Sequence, residues 1–475
     1  LYTAWSHDPA SVHSSWQEYF HVVECGLPTR EPDIEQNQFT ISSESPLLSS
    51  SAQLKVPFQA PPQIKAERLV RAYQEGGHKK AKTNPLDLPS KRDLPPGELR
   101  PEFYGLTEAD LDREITLGPE VLPQFASDNV STMTLREIIT ICEKLYCGSI
   151  GAEYLHVATH EEREWIRERL ETPVPYQLDS EEKKWILDRL MWTTTFERFM
   201  SAKFPNAKRF SIEGVESQFL ALKAIIDASA ENGVREIIFP CCHRGKRNVL
   251  SNVARKPNEL IFSEFSADSK SRHQTSDDVK YQLGMNYERE RPSGKKVHVS
   301  ILPNPSHLGS QNTLGQGMAR AVQHQNGGDR KSTMVLNSHT DASFSGQVVI
   351  YETLGLSDLK SYETGRTVHL IINNQVGFTT NPESARASPY ASDIAKTLNA
   401  PIFHVNADDV EAVVFLGKLA SDYRAKFGKN CWVDMICYRK HGQHEMDQPF
   451  FTQPKMYEQI EKKVPHLELY INKLR

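Results

Sequence analysis

Two stretches decide how this chain is read: Thr333-Met334-Val335-Leu336, leading into His339-Thr340-Asp341-Ala342, and Thr367-Val368-His369-Leu370-Ile371-Ile372, running into Asn373-Asn374-Gln375-Val376. Each is an apolar run of strand length with a polar cluster just past its end. Asp341 and Asn374 stand 33 residues apart (374 − 341). Ligands of an α/β sheet collect at the carboxyl ends of its strands, so both clusters are expected to face one crevice. A carboxylate (Asp341), a side-chain amide (Asn374) and a backbone carbonyl (Val376) make a hard oxygen site suited to Mg2+, with room left for diphosphate oxygens.

Outward from these runs the pattern repeats. Beyond Phe204, short β-rich runs alternate with helical stretches, which predicts a doubly wound, mainly parallel sheet with helices on both faces. The strand candidates are Glu236 to Pro240, Val297 to Leu302, Thr333 to Leu336, Thr367 to Ile372, Ile402 to Val405 and Trp432 to Tyr438. Helices are expected over Gly214 to Ala230, Gly315 to His324, Val410 to Phe427 and Pro454 to Lys462. Upstream, residues 65–203 read as helical. Thr134 and Glu137 form a capping-box pattern ahead of the stripe Leu135, Ile138, Ile139, Cys142 and Leu145, and Thr159 and Glu162 repeat the device. Residues 27–64 are rich in Pro, Ser and Gln and read as a linker, because such a composition buries little apolar surface. Residues 1–26 carry Trp5, Val12, Trp16, Tyr19 and Phe20 at the spacing of a short amphipathic helix, too short to fold alone and expected to dock on a partner. The expected domains are thus 1–26, 27–64, 65–203 and an α/β diphosphate-binding domain over 204–475.

Composition narrows the class. A 38% hydrophobic content suits a globular enzyme, and no run approaches the roughly eighteen apolar residues of a membrane span. A net charge of −5, from 56 basic and 61 acidic residues, argues against a nucleic-acid partner. Seven scattered cysteines, an odd number, read as reduced thiols of an intracellular compartment. The chain opens on Leu1 rather than Met, as it would after removal of a leader or other N-terminal segment.

Longer motifs add a resemblance. His339-Thr340-Asp341-Ala342, Gly346-Gln347, Tyr351-Glu352-Thr353-Leu354-Gly355-Leu356 and Asn373-Asn374-Gln375-Val376-Gly377-Phe378-Thr379-Thr380 closely resemble the thiamine-diphosphate-dependent first component of the 2-oxoglutarate dehydrogenase complex. The likeness runs from Ala4-Trp5 through Asp278-Val279-Lys280-Tyr281, Asn304-Pro305-Ser306-His307-Leu308 and Ala400-Pro401-Ile402-Phe403-His404 to Asp447-Gln448-Pro449, and it favours the 2-oxoglutarate over the 2-oxoadipate branch. It implies oxidative decarboxylation of 2-oxoglutarate, within the tricarboxylic acid cycle, with succinyl transfer to a lipoyl group. The implied cofactors are thiamine diphosphate and Mg2+. The implied partners are a lipoyl-bearing succinyltransferase, a dihydrolipoyl dehydrogenase and a second copy of the chain, in the mitochondrial matrix. Residue by residue, it implies His307 and His243 as catalytic, Asp341, Asn374 and Val376 as Mg2+ ligands, and Asn373 and Arg244 beside the cofactor.

Departures from the family pattern fall at the chemistry. Thr340 stands where the family has Gly before the aspartate, Gln282 and Gln443 replace histidines, Gly309 replaces Glu, Val348 replaces Gly, and Pro240-Cys241-Cys242 replaces Gly-Met-Pro ahead of His243. Glutamine carries no proton near neutral pH, so acid–base work is expected to be lost at positions 282 and 443. Arg475 falls where the pyrimidine-binding half, with its activating glutamate, would begin; the expectation is the N-terminal half of the enzyme. The alternative is a truncated or decayed homologue that only binds partners. Other patterns are weaker. Ser293-Gly294-Lys295-Lys296 lacks a phosphate loop's earlier glycines, His156 and His160 lack the glutamate of a metalloprotease motif, and the vicinal Cys241-Cys242 has no second pair nearby.

Overall fold

The computed structural model describes residues 2–12, 16, 17, 20, 60–88, 97–118, 120–122, 131–265, 283–303 and 308–475. The chain divides into two compact units, Leu1–Gln59 and Ala60–Arg475. In the first, a helix spans Tyr2–His7, Trp16, Gln17 and Phe20 are helical, and Trp5, Val12, Trp16 and Phe20 cluster on one another. The linker reading falls largely outside the described residues; its last part enters the helix Pro62–Gly76.

The second unit is built on ten strands: β1 (Glu114–Leu117), β2 (Ser131–Thr134), β3 (Ile150–Glu153), β4 (Glu236–Phe239), β5 (Met285–Glu290), β6 (Lys296–Ile301), β7 (Thr333–Thr340), β8 (Thr367–Asn373), β9 (Ile402–Asn406) and β10 (Cys431–Ile436). β1 and β2 form a small hairpin, and the rest form one sheet in the order β3-β9-β10-β8-β7-β4-β6-β5. The six inner strands are parallel; only the edge strands β3 and β5 run antiparallel. This is the expected mainly parallel α/β sheet. All seven residues of β8 and all six of β10 are buried, as strands covered on both faces require. On one face the helix Val410–Phe427 lies against the helix Gln218–Glu231, close enough that a Cβ at Gly417 would meet Ala224 Cβ at 3.1 Å. On the other, the helix Ser310–Gln325 covers β7 and β4.

The structure extends several elements. β7 continues past Leu336 to Thr340 because Asn337, Ser338 and His339 stay buried in the sheet, where Asn337 Nδ2 donates to Asn312 Oδ1 at 2.5 Å. β5 was not expected: its alternating Glu and Arg residues carry no apolar periodicity, and they protect an edge strand from further pairing. Residues 65–203, read as helical, also contribute β1 and β2, and β3 joins the main sheet through β9. The expected caps appear, with Thr134 accepting from Glu137 N–H and Thr159 from Glu162 N–H, and Asp179 with Glu182 adds a capping box that was not expected.

Chain direction creates the crevice. After β4 the chain lays down β5 and then β6 on one side of it, and β7 later pairs with the other side of β4. The carboxyl ends of β4 and β7 therefore flank a topological switch point, where an open sheet leaves room for a ligand. Gly214, at φ 94°, lets the preceding segment lie against the end of β10, since a Cβ there would meet Tyr438 O at 2.5 Å.

The helix Ser180–Lys203 presents a buried acid to this core. Glu197 is 5% exposed and accepts from Asn248 Nδ2 at 2.9 Å; burial pushes its carboxyl up to about 7, against the hydrogen bonds from Asn248 and Ser211. The folded chain thus keeps a proton that the unfolded chain sheds above about 4.5, and stability falls as pH rises from about 4.5 to about 7. Glu197→Gln removes that loss: urea unfolding should show a gain of about 1–3 kcal/mol at pH 8 and little change at pH 4.

Candidate functional site

β7 and β8 are neighbours in register, with Thr340 opposite Ile372, so Asp341 and the Asn373-Asn374 pair emerge side by side at the same sheet edge. Asp341 opens the helix Asp341–Gly346, where the helix N-terminus favours negative charge. It is 2% exposed. Its Oδ1 is buried with no hydrogen-bond partner among the described residues, and its Oδ2 lies 3.8 Å from Arg386 Nη1. Burial pushes the carboxyl up to about 6, against the pull of Arg386 and with a further push from Asp434.

The turn after β8 divides its labour. Asn373 is used internally: Nδ2 donates to Asp434 Oδ1 at 3.1 Å, and Oδ1 accepts from Gln375 N–H at 3.3 Å. Gln375 sits at φ 62°, a conformation that L side chains enter at a cost, and its amide ties the turn to Cys437 O at 2.9 Å and Asn84 Oδ1 at 3.0 Å. Asn374 is left over; its Oδ1 is buried and has no partner among the described residues. Val376 is 3% exposed and packs with Tyr438, Met456 and Tyr457. An unsatisfied buried acceptor costs about 1–3 kcal/mol, and oxygens of this kind are the ligand type that hard divalent cations take.

Across the switch point, His243 follows β4 and meets the Phe210 ring edge-on at 4.8 Å. Burial holds its imidazole down to about 4, and Arg244 and Lys246 push the same way, so it is neutral at pH 7. Arg244 spends its guanidinium on the carbonyls of Ser211 (3.2 Å), Gly442 (3.4 Å) and Gln443 (2.9 Å). Gln443 is woven into the same loop: its N–H donates to Asp447 Oδ2 at 2.8 Å, and its Oε1 accepts from Arg439 Nη1 at 3.0 Å. Glu445 closes the loop onto the His243 side by accepting the N–H groups of Arg209 and Ser211, each at 2.8 Å. His307 and Gln282 lie outside the described residues.

Two of the departures from the family pattern, Thr340 and Gly309, are accommodated locally. Thr340 has φ −103° and ψ 148°, an extended conformation open to any residue, and its Oγ1 bonds Ser343 Oγ at 2.8 Å. At Gly309 a Cβ would meet Gln347 Oε1 at 1.9 Å and Val349 Cγ1 at 2.8 Å, so the Gln347 side chain fills the space a larger residue would take. Sequence reading missed Arg386, Asp434, His404 and Glu153. The signal was there for two of them: Asp434 and His404 are polar residues inside otherwise apolar strands.

A doubly wound, mainly parallel sheet with polar residues gathered at the carboxyl ends of its strands defines a ligand-binding α/β domain. Residues 188–475 match the dehydrogenase E1 component, and residues 1–27 match the 2-oxoglutarate dehydrogenase N-terminus. The chain belongs to the dehydrogenase E1 component family. Over its whole length it is 46% identical to the mitochondrial 2-oxoglutarate dehydrogenase of Schizosaccharomyces pombe, 46% to that of Saccharomyces cerevisiae and 44% to that of Dictyostelium discoideum, covering 48%, 48% and 47% of those proteins. The chain therefore spans about half the length of these relatives. Among the described residues, no helix is long and apolar enough to cross a membrane.

A buried carboxylate with an orphaned oxygen is held against its own cost. Asp341→Asn should raise the stability of the cofactor-free chain by about 1–3 kcal/mol at pH 8, read as a shift in urea midpoint without change in slope.

Proposed function

We propose that this chain is the diphosphate-binding half of a thiamine-diphosphate-dependent 2-oxoglutarate dehydrogenase, acting in oxidative decarboxylation of 2-oxoglutarate and succinyl transfer to a lipoyl group. The observation that carries the reading is the pair of orphaned buried oxygens, Asp341 Oδ1 and Asn374 Oδ1, at adjoining strand ends of an E1 component fold. In this reading Asp341, Asn374 and the carbonyl of Val376 hold Mg2+ on the diphosphate. Bound thiamine diphosphate supplies the electron sink for loss of carbon dioxide from a 2-oxo acid. Neutral His243 serves as a hydrogen-bond partner to cofactor or substrate oxygens rather than as a positive charge. Arg244 acts from behind by fixing the 442–443 loop, and His307 carries the second catalytic imidazole.

The relatives' names support a mitochondrial setting, and we place the chain in the matrix, working with a lipoyl-bearing succinyltransferase and a dihydrolipoyl dehydrogenase. Residues 1–26 are proposed to dock on those components, 27–64 to link, and 65–203 to brace the catalytic domain 204–475. Exposed Leu314, Met318, Val348 and Tyr351, on the helices Ser310–Gln325 and Val348–Leu356, support an apolar seat for a second copy in a homodimer.

Calorimetric titration tests the reading. The chain should bind thiamine diphosphate only with Mg2+, and Asp341→Ala and Asn374→Ala should each weaken binding by at least about tenfold. A chain that ignores both ligands is the interaction-only homologue, and Asp341→Ala binding as tightly as the native chain refutes the anchor.

A further inference from the structure

A buried polar chain leads away from the Asn373 turn. Asp434, 0% exposed in the middle of β10, accepts from Asn373 Nδ2 on one oxygen and from His404 Nδ1 on the other, the latter at 2.9 Å. The sheet register sets Asp434 directly beside His404 on β9. The other ring nitrogen, His404 Nε2, lies 2.9 Å from Glu153 Oε1 on the edge strand β3. Glu153 Oε2 takes Lys396 Nζ at 2.6 Å, with His78 Nε2 at 3.5 Å. His78 Nδ1 in turn meets the Tyr390 hydroxyl at 2.9 Å.

An imidazole between two carboxylates donates to both only as the imidazolium. The His404 imidazolium lies between two buried carboxylates, Asp434 and Glu153, and Lys396 adds a second positive charge at the outer end, where it also pairs with Asp393 at 2.7 Å. The side chains of His78, Glu153 and His404 converge as metal ligands would, their donor atoms all within 4.8 Å of one another, but Lys396 already stands on the free carboxylate oxygen as the cation. Such a network is expensive: well-packed apolar residues usually serve stability as well or better, and buried ion pairs are best explained when they specify an orientation. The orientation specified here is that of Asn373, whose other contact, Gln375 N–H, shapes the turn that presents Asn374.

We propose that Asp434, His404 and Glu153 are positioning residues for the cofactor site: a relay, braced at its outer end by Lys396, that clamps Asn373 and so aims Asn374 at the Mg2+ and diphosphate. The proposal rests on the functional reading above, and its test separates the two. In the full chain, His404→Gln and Asn373→Ala should each raise the Kd for Mg2+–thiamine diphosphate about tenfold, the scale of outer-shell changes, and the double variant should be little worse than either alone. Losses that multiply in the double variant, or a native Kd in His404→Gln, overturn the relay. Should His404→Gln fail to fold, Lys396→Met perturbs the outer end; it should weaken binding in the same direction, with recovery in Lys396→Arg, and a native Kd in Lys396→Met counts against the relay. Hydrogen–deuterium exchange of the cofactor-free chain gives a readout independent of binding. Faster exchange over residues 373–378 in the His404 or Lys396 variant supports the relay even if the native chain binds no cofactor, an outcome that would sink only the functional reading. Faster exchange confined to β3 and β9, or none, refutes it.

Discussion

Parallel pairing of β7 with β8 is the constraint from which the site follows. Two parallel neighbours end at the same edge of a sheet, so residues just past their last hydrogen-bonded pair must emerge together, whatever the 32 residues between Asp341 and Asn374 do. Slipping the pairing by one residue would send every side chain of the strand to the opposite face, and the burial of every residue in β8 makes such a slip costly. The oxygen donors are thus placed by the apolar core, not by contacts with each other. Their unsatisfied acceptors are tolerated because the core overdetermines the backbone that carries them.

Polar groups inside the sheet show the complementary principle. His339 and His369 stack beside the same strands, Nε2 of one 3.0 Å from Nδ1 of the other, and His369 lies flat on Trp432 with ring centroids 4.1 Å apart. Burial alone holds His339 down to about 3, so this pair stays neutral and packs as flat aromatic rings. His404 sits in comparable burial yet is pushed up to about 9, because Asp434 and Glu153 each hydrogen-bond it. Side-chain neighbours, rather than depth, decide which buried imidazole carries charge.

Much of the fold was legible before any coordinates. The runs at β4, β6, β7, β8, β9 and β10 are apolar and β-branched, and strands covered on both faces need no more signal than that. β3 and β5 were missed for a physical reason: an edge strand is chosen by the partner it pairs with, and Ile150-Gly151-Ala152-Glu153 has no alternation of its own. At the site, Asp341 and Asn374 could be named from spacing, whereas Arg386 and Glu153 reach the same neighbourhood from loops and edges that no local pattern connects. At Thr340 the backbone is extended, so the conformational freedom of glycine is not used there, while a β-branched side chain still stands ahead of Asp341.

The brace supplied by β3 bears on where this protein can be cut. The stretch that matches the E1 component begins at residue 188, and a gene fragment designed on that boundary would look self-sufficient. It would lack β3 and its Glu153, baring the backbone of β9 and leaving His404 with Asp434 as its remaining carboxylate partner. An open sheet margin invites pairing between molecules, and a buried ring nitrogen that loses its hydrogen-bond partner loosens what remains. A soluble minimal module must therefore start upstream of His78, well before the point that family boundaries suggest.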